Sequence, residues 1–450
     1  MALKTKISKD DFINIFQKED TEVLSYGDVK ESALKALAQK EIPHKKMEEW
    51  RHTSLSKILL HKYAAAEFRP VSKDEVNMFS IPGLDAYRLV FVNGFFIPEL
   101  SDIKDDENGI VIQSMHEAKN NHKELFDKYF DKSDIQSSSF FTALNTAYSA
   151  NGSFIYLANN FTGDKPIHIV HFSDGQGRKT LAQYRNLIVA GKSSKAHIVH
   201  TYHSLSLNYT LNNIATEIFL ADNAHLDFNI IQGEGVDAAQ LNYTKVIQES
   251  NSNFSMHTTT FCGLLVRNDL KVLQDGSNIE TDLNGLYMPD REQHFDNSVF
   301  VHHAKPHNNS NQLYKGVIDN KASAVFFGRV LVDRDAQKTN ANQLNKNILL
   351  TKYAKVNSKP QLEIYADDVA CSHGSTTGQI DEEALFYMRA RGINRRKAET
   401  LLLTAFVSDV IEKIQIEAVK FYVQILINNR LKGEKKDGQC LMIDECPACD

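Results

Sequence analysis

Between about Asn145 and Asp368 the chain alternates apolar and polar residues in short runs of period 2. Phe154/Tyr156, Leu226/Phe228/Ile230, Phe254/Met256/Thr258, Ile279/Thr281/Leu283, Val299/Val301, Val325/Phe327 and Leu362/Ile364 each set alternate side chains on one face of a strand. Most runs follow a small or turn-forming residue, as at Gly152-Ser153, Asn223-Ala224, Ser252-Asn253, Gly276-Ser277 and Ala322-Ser323. Leu226 and Phe254 lie 28 positions apart, Phe254 and Ile279 25, and Val299 and Val325 26. Strands recurring at this spacing, with no long helix between them, predict a β-solenoid that stacks one coil per repeat. The competing arrangement is a β-sandwich, whose strands recur every ~8–12 residues.

The flanks change period. Asp10-Asp11 open one candidate helix, and Val29 to Lys40 has apolar positions at helical spacing that Ile42-Pro43 interrupts. Tyr87 to Gly94 reads as a first strand. The polar stretch from Ser101 to Ser139 reads as a surface excursion with a helix near Met115 to Phe130. Beyond Gly378, Asp381 is placed to cap a helix running to Arg391, with Gly392 to end it. Asn394 caps a second, whose apolar positions Ala398, Leu401, Leu402, Ala405, Val410, Ile411 and Ile414 continue through Phe421, Ile425 and Leu426. The organisation expected is a helical region over 1–85, a β-helix core over 86–378 with the excursion at about 101–140, a helical region over 379–431, and a polar tail over 432–450.

Composition narrows the class. At 450 residues, with 42% hydrophobic and 24% charged residues, the chain has the balance of a well-folded soluble protein too long for one ordinary compact domain. No apolar run approaches the ~18 residues that span a bilayer. The opening MALKTKISKDDF has neither an apolar core nor a small-residue cleavage site, so a cytoplasmic protein is expected. A net charge of −6 argues against a nucleic-acid partner. Five cysteines, an odd number, do not read as a disulfide framework.

Candidate chemistry is sparse. Gly191-Lys192-Ser193 follows an apolar strand, but a phosphate-cradling loop needs a glycine at position 186, where Asn186 stands; no bound nucleotide is expected. His294, His302, His303 and His307 cluster in sequence, yet His302 and His303 point to opposite faces of a strand and read as core or surface histidines. Cys371 and His373, two apart at a strand end, share a face, and soft thiolate with imidazole suits iron, iron–sulfur units or zinc. They are half a ligand set, so a partner chain completes it or the pair is structural. Cys440, Cys446 and Cys449 form a Cys-x5-Cys-x2-Cys tail that could hold a metal with an external ligand, or be a redox-labile extension.

The stretch from Gln312 to Ile393 resembles the SufB/SufD family throughout. Tyr314-Lys315-Gly316-Val317, Ala336-Gln337-Lys338-Thr339, Lys359-Pro360-Gln361-Leu362-Glu363-Ile364, Asp368 through Gly374, and Leu385-Phe386-Tyr387 with Arg391-Gly392 carry the likeness. Lys46 to Leu55, around Trp50, and Phe91-Val92-Asn93-Gly94 resemble the amino-terminal part of its SufD branch. SufB-like chains have a cysteine in the segment that here reads Leu385 to Gly392 without a thiol, which also favours that branch.

The resemblance implies a right-handed parallel β-helix between helical regions, and a non-ATPase scaffold role in an iron–sulfur cluster assembly complex. The implied partners are a SufB-like protein, forming a β-helix heterodimer, and a SufC-like ABC-type ATPase. The helices bearing Leu401, Leu402, Ala405 and Phe406 are expected to dock the ATPase, and the chain alone is open to homodimerisation. His373 matches the family histidine implicated in building the cluster at the interface with SufB, and Cys371 the neighbouring cysteine. A nascent iron–sulfur cluster would be transient cargo there, and the likeness leaves room for a reduced flavin in the complex. The cysteine tail gains nothing from it. Two other classes stay open: a stand-alone metal-binding protein using that tail, and a carbohydrate-active β-helix enzyme, for which the adjacent Asp367-Asp368 make a poor acid pair.

Overall fold

The computed structural model describes residues 7–17, 23–107 and 109–432. Its centre is a parallel β-solenoid of about eight turns. Each coil contributes one strand to each of two facing sheets. Sheet A has eleven strands and runs from Lys104–Glu107 and Ile110–Ser114 at one end to Lys355–Ile364 at the other. Sheet B has ten and runs from the hairpin Tyr87–Val92/Phe95–Phe96 to Ala370–Gly378. From Thr180–Ala190 to Lys355–Ile364, successive strands of sheet A pair in parallel register at intervals of 26 to 32 residues.

The alternating runs produce this because one face of every strand turns inward. Ile198, Phe228, Phe254, Met256, Leu283, Val299, Val301 and Phe326 stack into one continuous apolar interior. Corners repeat as well. Ser193, Asn223, Asn251, Asn278, His307 and Lys338 all take left-handed backbone at the same corner of successive coils. The amide of Asn223 donates to the Ser250 carbonyl at 3.0 Å and that of Asn251 to Ser277 at 2.9 Å, so each corner is bonded to the next. Asparagine tolerates this conformation better than most side chains, which is why it recurs there.

Register corrects the spacing read from sequence. Leu226 does pair with Phe254, but Phe254 pairs with Thr281 and Val299 with Gly328, because corners differ in length by a few residues. Val325 and Phe327 consequently face outward, and Ala324 and Phe326 fill the interior. The 101–140 stretch is more than a surface excursion. Ile110–Ser114 is a wholly buried strand antiparallel to Ser153–Leu157, and Met115, Ala118 and Phe126 pack beneath it. Its expected single helix is two, Met115–Asn121 and Lys123–Tyr129, the first opened by a Ser114–Glu117 capping box.

The two sheets are covered differently. Helices and turns of the amino-terminal region, through Phe12, Trp50, Phe140 and Leu144, lie on the outer face of sheet A. Asp381 and Asn394 cap helices Glu382–Ala390 and Arg395–Ile411 as their sequence predicts. The apolar pattern that ran on through Phe421 breaks at Glu412, and a separate helix, Glu417–Lys432, folds back. Leu403, Val407, Val410, Val423 and Ile427 of this pair cover Val199, Ile231, Phe261, Leu286 and Val317 of sheet B.

Candidate functional site

Lys355–Ile364 and Ala370–Gly378 end their sheets. Each pairs with a described strand on one side only, leaving a row of backbone donors and acceptors on the other. Cys371 and His373 stand on the second of these strands, in register with Ala341 and Gln343 of the coil beneath. Both lie on the row that faces the interior in earlier coils, so they line the open mouth of the solenoid. Tyr353 and Tyr365, more than half exposed, stand on the corners of the same coil with Ile364.

The two side chains have unlike floors. Cys371 is half-buried against the apolar cluster of Val330, Val332, Ala336, Ala341 and Ala366. Burial pushes its thiol pKa up, and a backbone hydrogen bond at Ala341 only partly offsets this. The resting thiol is therefore protonated, and a metal or a cationic neighbour would be needed to draw off its proton. His373 is exposed and sits over an amide, Gln343. Across the mouth Ser375 donates to Ser358 at 2.8 Å, tying the two end strands together. No three His, Cys, Asp or Glu side chains among the described residues gather to hold a metal ion. The pair remains half a ligand set.

The other sequence candidates separate. His294 sits between Thr53 at 2.8 Å and Ser323 at 2.7 Å, His302 meets Asp333 at 2.9 Å on the outer face, and inward His303 meets Ser310 at 2.9 Å. Lys192 and Ser193 form a solenoid corner, with Lys192 paired to Asp222 at 3.0 Å. Cys440, Cys446 and Cys449 lie outside the described residues.

Of the four helix positions, Leu401 and Ala405 are exposed and Leu402 is half-buried. The Phe406 ring lies 4.7 Å beneath the Lys315 ammonium. Phe386 and Tyr387 of the preceding helix are exposed by 72% and 59%, more than any other large apolar side chains near them. The helix periodicity gave no reason to single them out, although they stood in the Leu385-Phe386-Tyr387 motif.

A groove of about 650 Å³ runs between Lys40–Trp50 and the outer face of sheet A. Glu41, Glu48, Glu49 and Glu363 line it against Lys40 and Arg329. That balance has the wrong sign for the phosphate of a flavin nucleotide, so the groove is a poor flavin site.

The architecture is thus a parallel β-solenoid with helices at its amino and carboxy termini packed on the outer faces of its two sheets. Residues 171–406 match the family described as "SUF system FeS cluster assembly, SufBD core domain", and residues 8–169 match "SufBD protein N-terminal region". A SufBD family protein of Synechocystis sp. is 32% identical over 399 residues, 87% of this chain and 88% of that one. The iron–sulfur cluster assembly protein SufD of Escherichia coli is 30% identical over 414 residues, covering 89% and 92% respectively. SufD of Bacillus subtilis is 23% identical over 454 residues. The chain belongs to the SufB/SufD family of SUF-system iron–sulfur cluster assembly proteins.

Proposed function

We propose that this chain is the SufD-type scaffold of a SufBCD-type complex, and that its last coil is the surface on which clusters are built. The supporting observation is the coincidence of unpaired strand edges, exposed Tyr353, Tyr365 and Ile364, and the row holding Cys371 and His373, all on one coil. A SufB-like partner extending these edges would complete both the hydrogen-bond ladders and the ligand set. Iron and sulfide are cargo in this scheme. His373 offers an imidazole nitrogen to iron, and Cys371 a thiol that loses its proton on binding.

The helices Glu382–Ala390 and Arg395–Ile411 follow directly from the strand carrying Cys371 and His373. Phe386, Tyr387 and Leu401 give them an exposed apolar face suited to a SufC-like ATPase, which would supply the ATP hydrolysis. Nucleotide-driven movement of that partner would bias the packing of the helices on sheet B and thereby open or close the seam at the last coil.

The test uses the purified complex. With His373→Ala, cluster formation should be lost while ATP hydrolysis by the partner stays near its original rate. An undiminished cluster yield would refute the assignment. Failure of a SufB-like chain and a P-loop ATPase to co-purify with the protein would refute the complex itself.

A further inference from the structure

In the coil beneath His373 stands Gln343, in register with it and only 2% exposed. Its Nε2 donates to Gln312 Oε1 at 2.8 Å, one coil further in. Its Oε1 is buried and has no hydrogen-bond partner among the described residues. A buried amide oxygen left bare is unfavourable, and in a native protein calls for an explanation. The conformation is also made room for: a Cβ at Gly328, across the interior, would overlap the Gln343 amide nitrogen. Strands of one sheet lie about 4.8 Å apart, so Gln343 and His373 stand on adjacent rungs of the same inward-facing row. Cys371 has no such neighbour, since its floor is Ala341.

We infer that Gln343 is a positioning residue for His373: its Oε1, unpartnered in this structure, is the acceptor that a ring N–H takes up when the His373 side chain turns inward, which fixes the tautomer and aims the other nitrogen out of the solenoid mouth. Gln312 anchors the Gln343 amide from the coil further in. Ligating histidines are commonly oriented in this way by an acceptor behind the ring, and removing that acceptor weakens metal binding by about 10–100-fold. The inference deepens the reading of His373 as the working imidazole and rests on it for its consequence, though not for its geometry.

The experiment is an NMR measurement of ring ¹⁵N–¹H couplings in the ¹⁵N-labelled full chain, the His373 signals being assigned by their loss in His373→Ala. One neutral tautomer is expected in the unmodified chain, both tautomers in Gln343→Leu, and one again in Gln343→Glu, which keeps an acceptor oxygen. Gln312, whose own Nε2 is unpartnered, can turn to donate to that carboxylate. In the complex, cluster formation should fall about 10–100-fold in Gln343→Leu and recover with Gln343→Glu. A purely packing role would lower the unfolding temperature of Gln343→Leu and leave the tautomer alone. A tautomer mixture in the unmodified chain, or one tautomer persisting in Gln343→Leu, overturns the inference. Undiminished cluster formation in His373→Ala would instead remove the functional reading and leave the tautomer result standing.

Discussion

The two helical regions are fastened to the solenoid by different physics. On sheet A the amino-terminal region is locked by buried charge. Arg185 is fully buried, bonded to Glu217 and to Asp131 at 3.1 Å, while Glu217 also accepts from the amides of Asp131 and Ser133. Three coils further on, Arg267 lies 4.1 Å over the Trp50 ring and pairs with Asp296, which also accepts from Thr53. On sheet B the carboxy-terminal pair rests mainly on an apolar layer, into which the buried Lys315 ammonium, paired with Asp409, and Arg430, bonded to the Met288 carbonyl, are set. Buried ion pairs require one geometry, whereas helices packed on an apolar layer can shift by small shear steps. The charged attachment runs along sheet A from the Arg185 strand to the Asp296 strand, and the apolar one carries the helices that follow the last coil.

That contrast can be broken most forcefully at Arg185. Arg185→Ala would leave Glu217 and Asp131 buried without a counter-charge and should destabilise the protein by about 3–5 kcal/mol, read from urea unfolding. Hydrogen exchange should rise first around residues 130–137. Ile427→Ala, in the apolar layer, should cost about 2–4 kcal/mol and speed exchange in the carboxy-terminal helices while leaving the solenoid strands protected. If Arg185→Ala instead loosens both regions alike, the two attachments are not independent. Replacing Arg185, Glu217 and Asp131 together by apolar residues of similar volume should come near neutrality. A loss as large as that of Arg185→Ala alone would mean that shape rather than charge pairing holds this end.

The smallest effect expected is a change in pH dependence, and it belongs to the solenoid between the two attachments. Burial holds His168, His200, His203 and His303 down to about 3. The unfolded chain takes up protons below the usual histidine value of 6.5, the folded one does not, and stability falls as pH drops from there toward 3. Glu234 is opposite in sign. Burial raises it to about 8, so it stays protonated when folded, and stability erodes as pH rises from its ordinary 4.5 through 8. Glu234→Gln should therefore flatten the alkaline side of a urea-midpoint profile between pH 6 and 8 and leave the acid side unchanged. An unaltered alkaline slope would show that Glu234 is ionised in the fold.

Much of the architecture was legible because a period of 2 and a repeated corner are local signals. Leu226, Phe228 and Phe254 announced their face, and Asn223 its corner. Coil spacing failed at Phe254 and Val299 because corner length is set by the neighbouring coil and not by the strand. Ile110–Ser114 was hidden inside a polar stretch, since five residues between charged segments carry too little pattern to mark a buried strand. Alternation put Cys371 and His373 on one row, but nothing in the sequence links Gln343 to His373 across 30 positions. Only the stacking register brings them together.

That register also makes the solenoid a yardstick. About eight coils rising about 4.8 Å apiece place the last coil roughly 34 Å along the axis from the first. Because each coil touches mainly the coils beside it, a whole coil inserted or removed near the middle would shift the mouth by one strand spacing and leave its chemistry intact. Length along the axis is thus a quantity that can be adjusted separately from the groups displayed at its end.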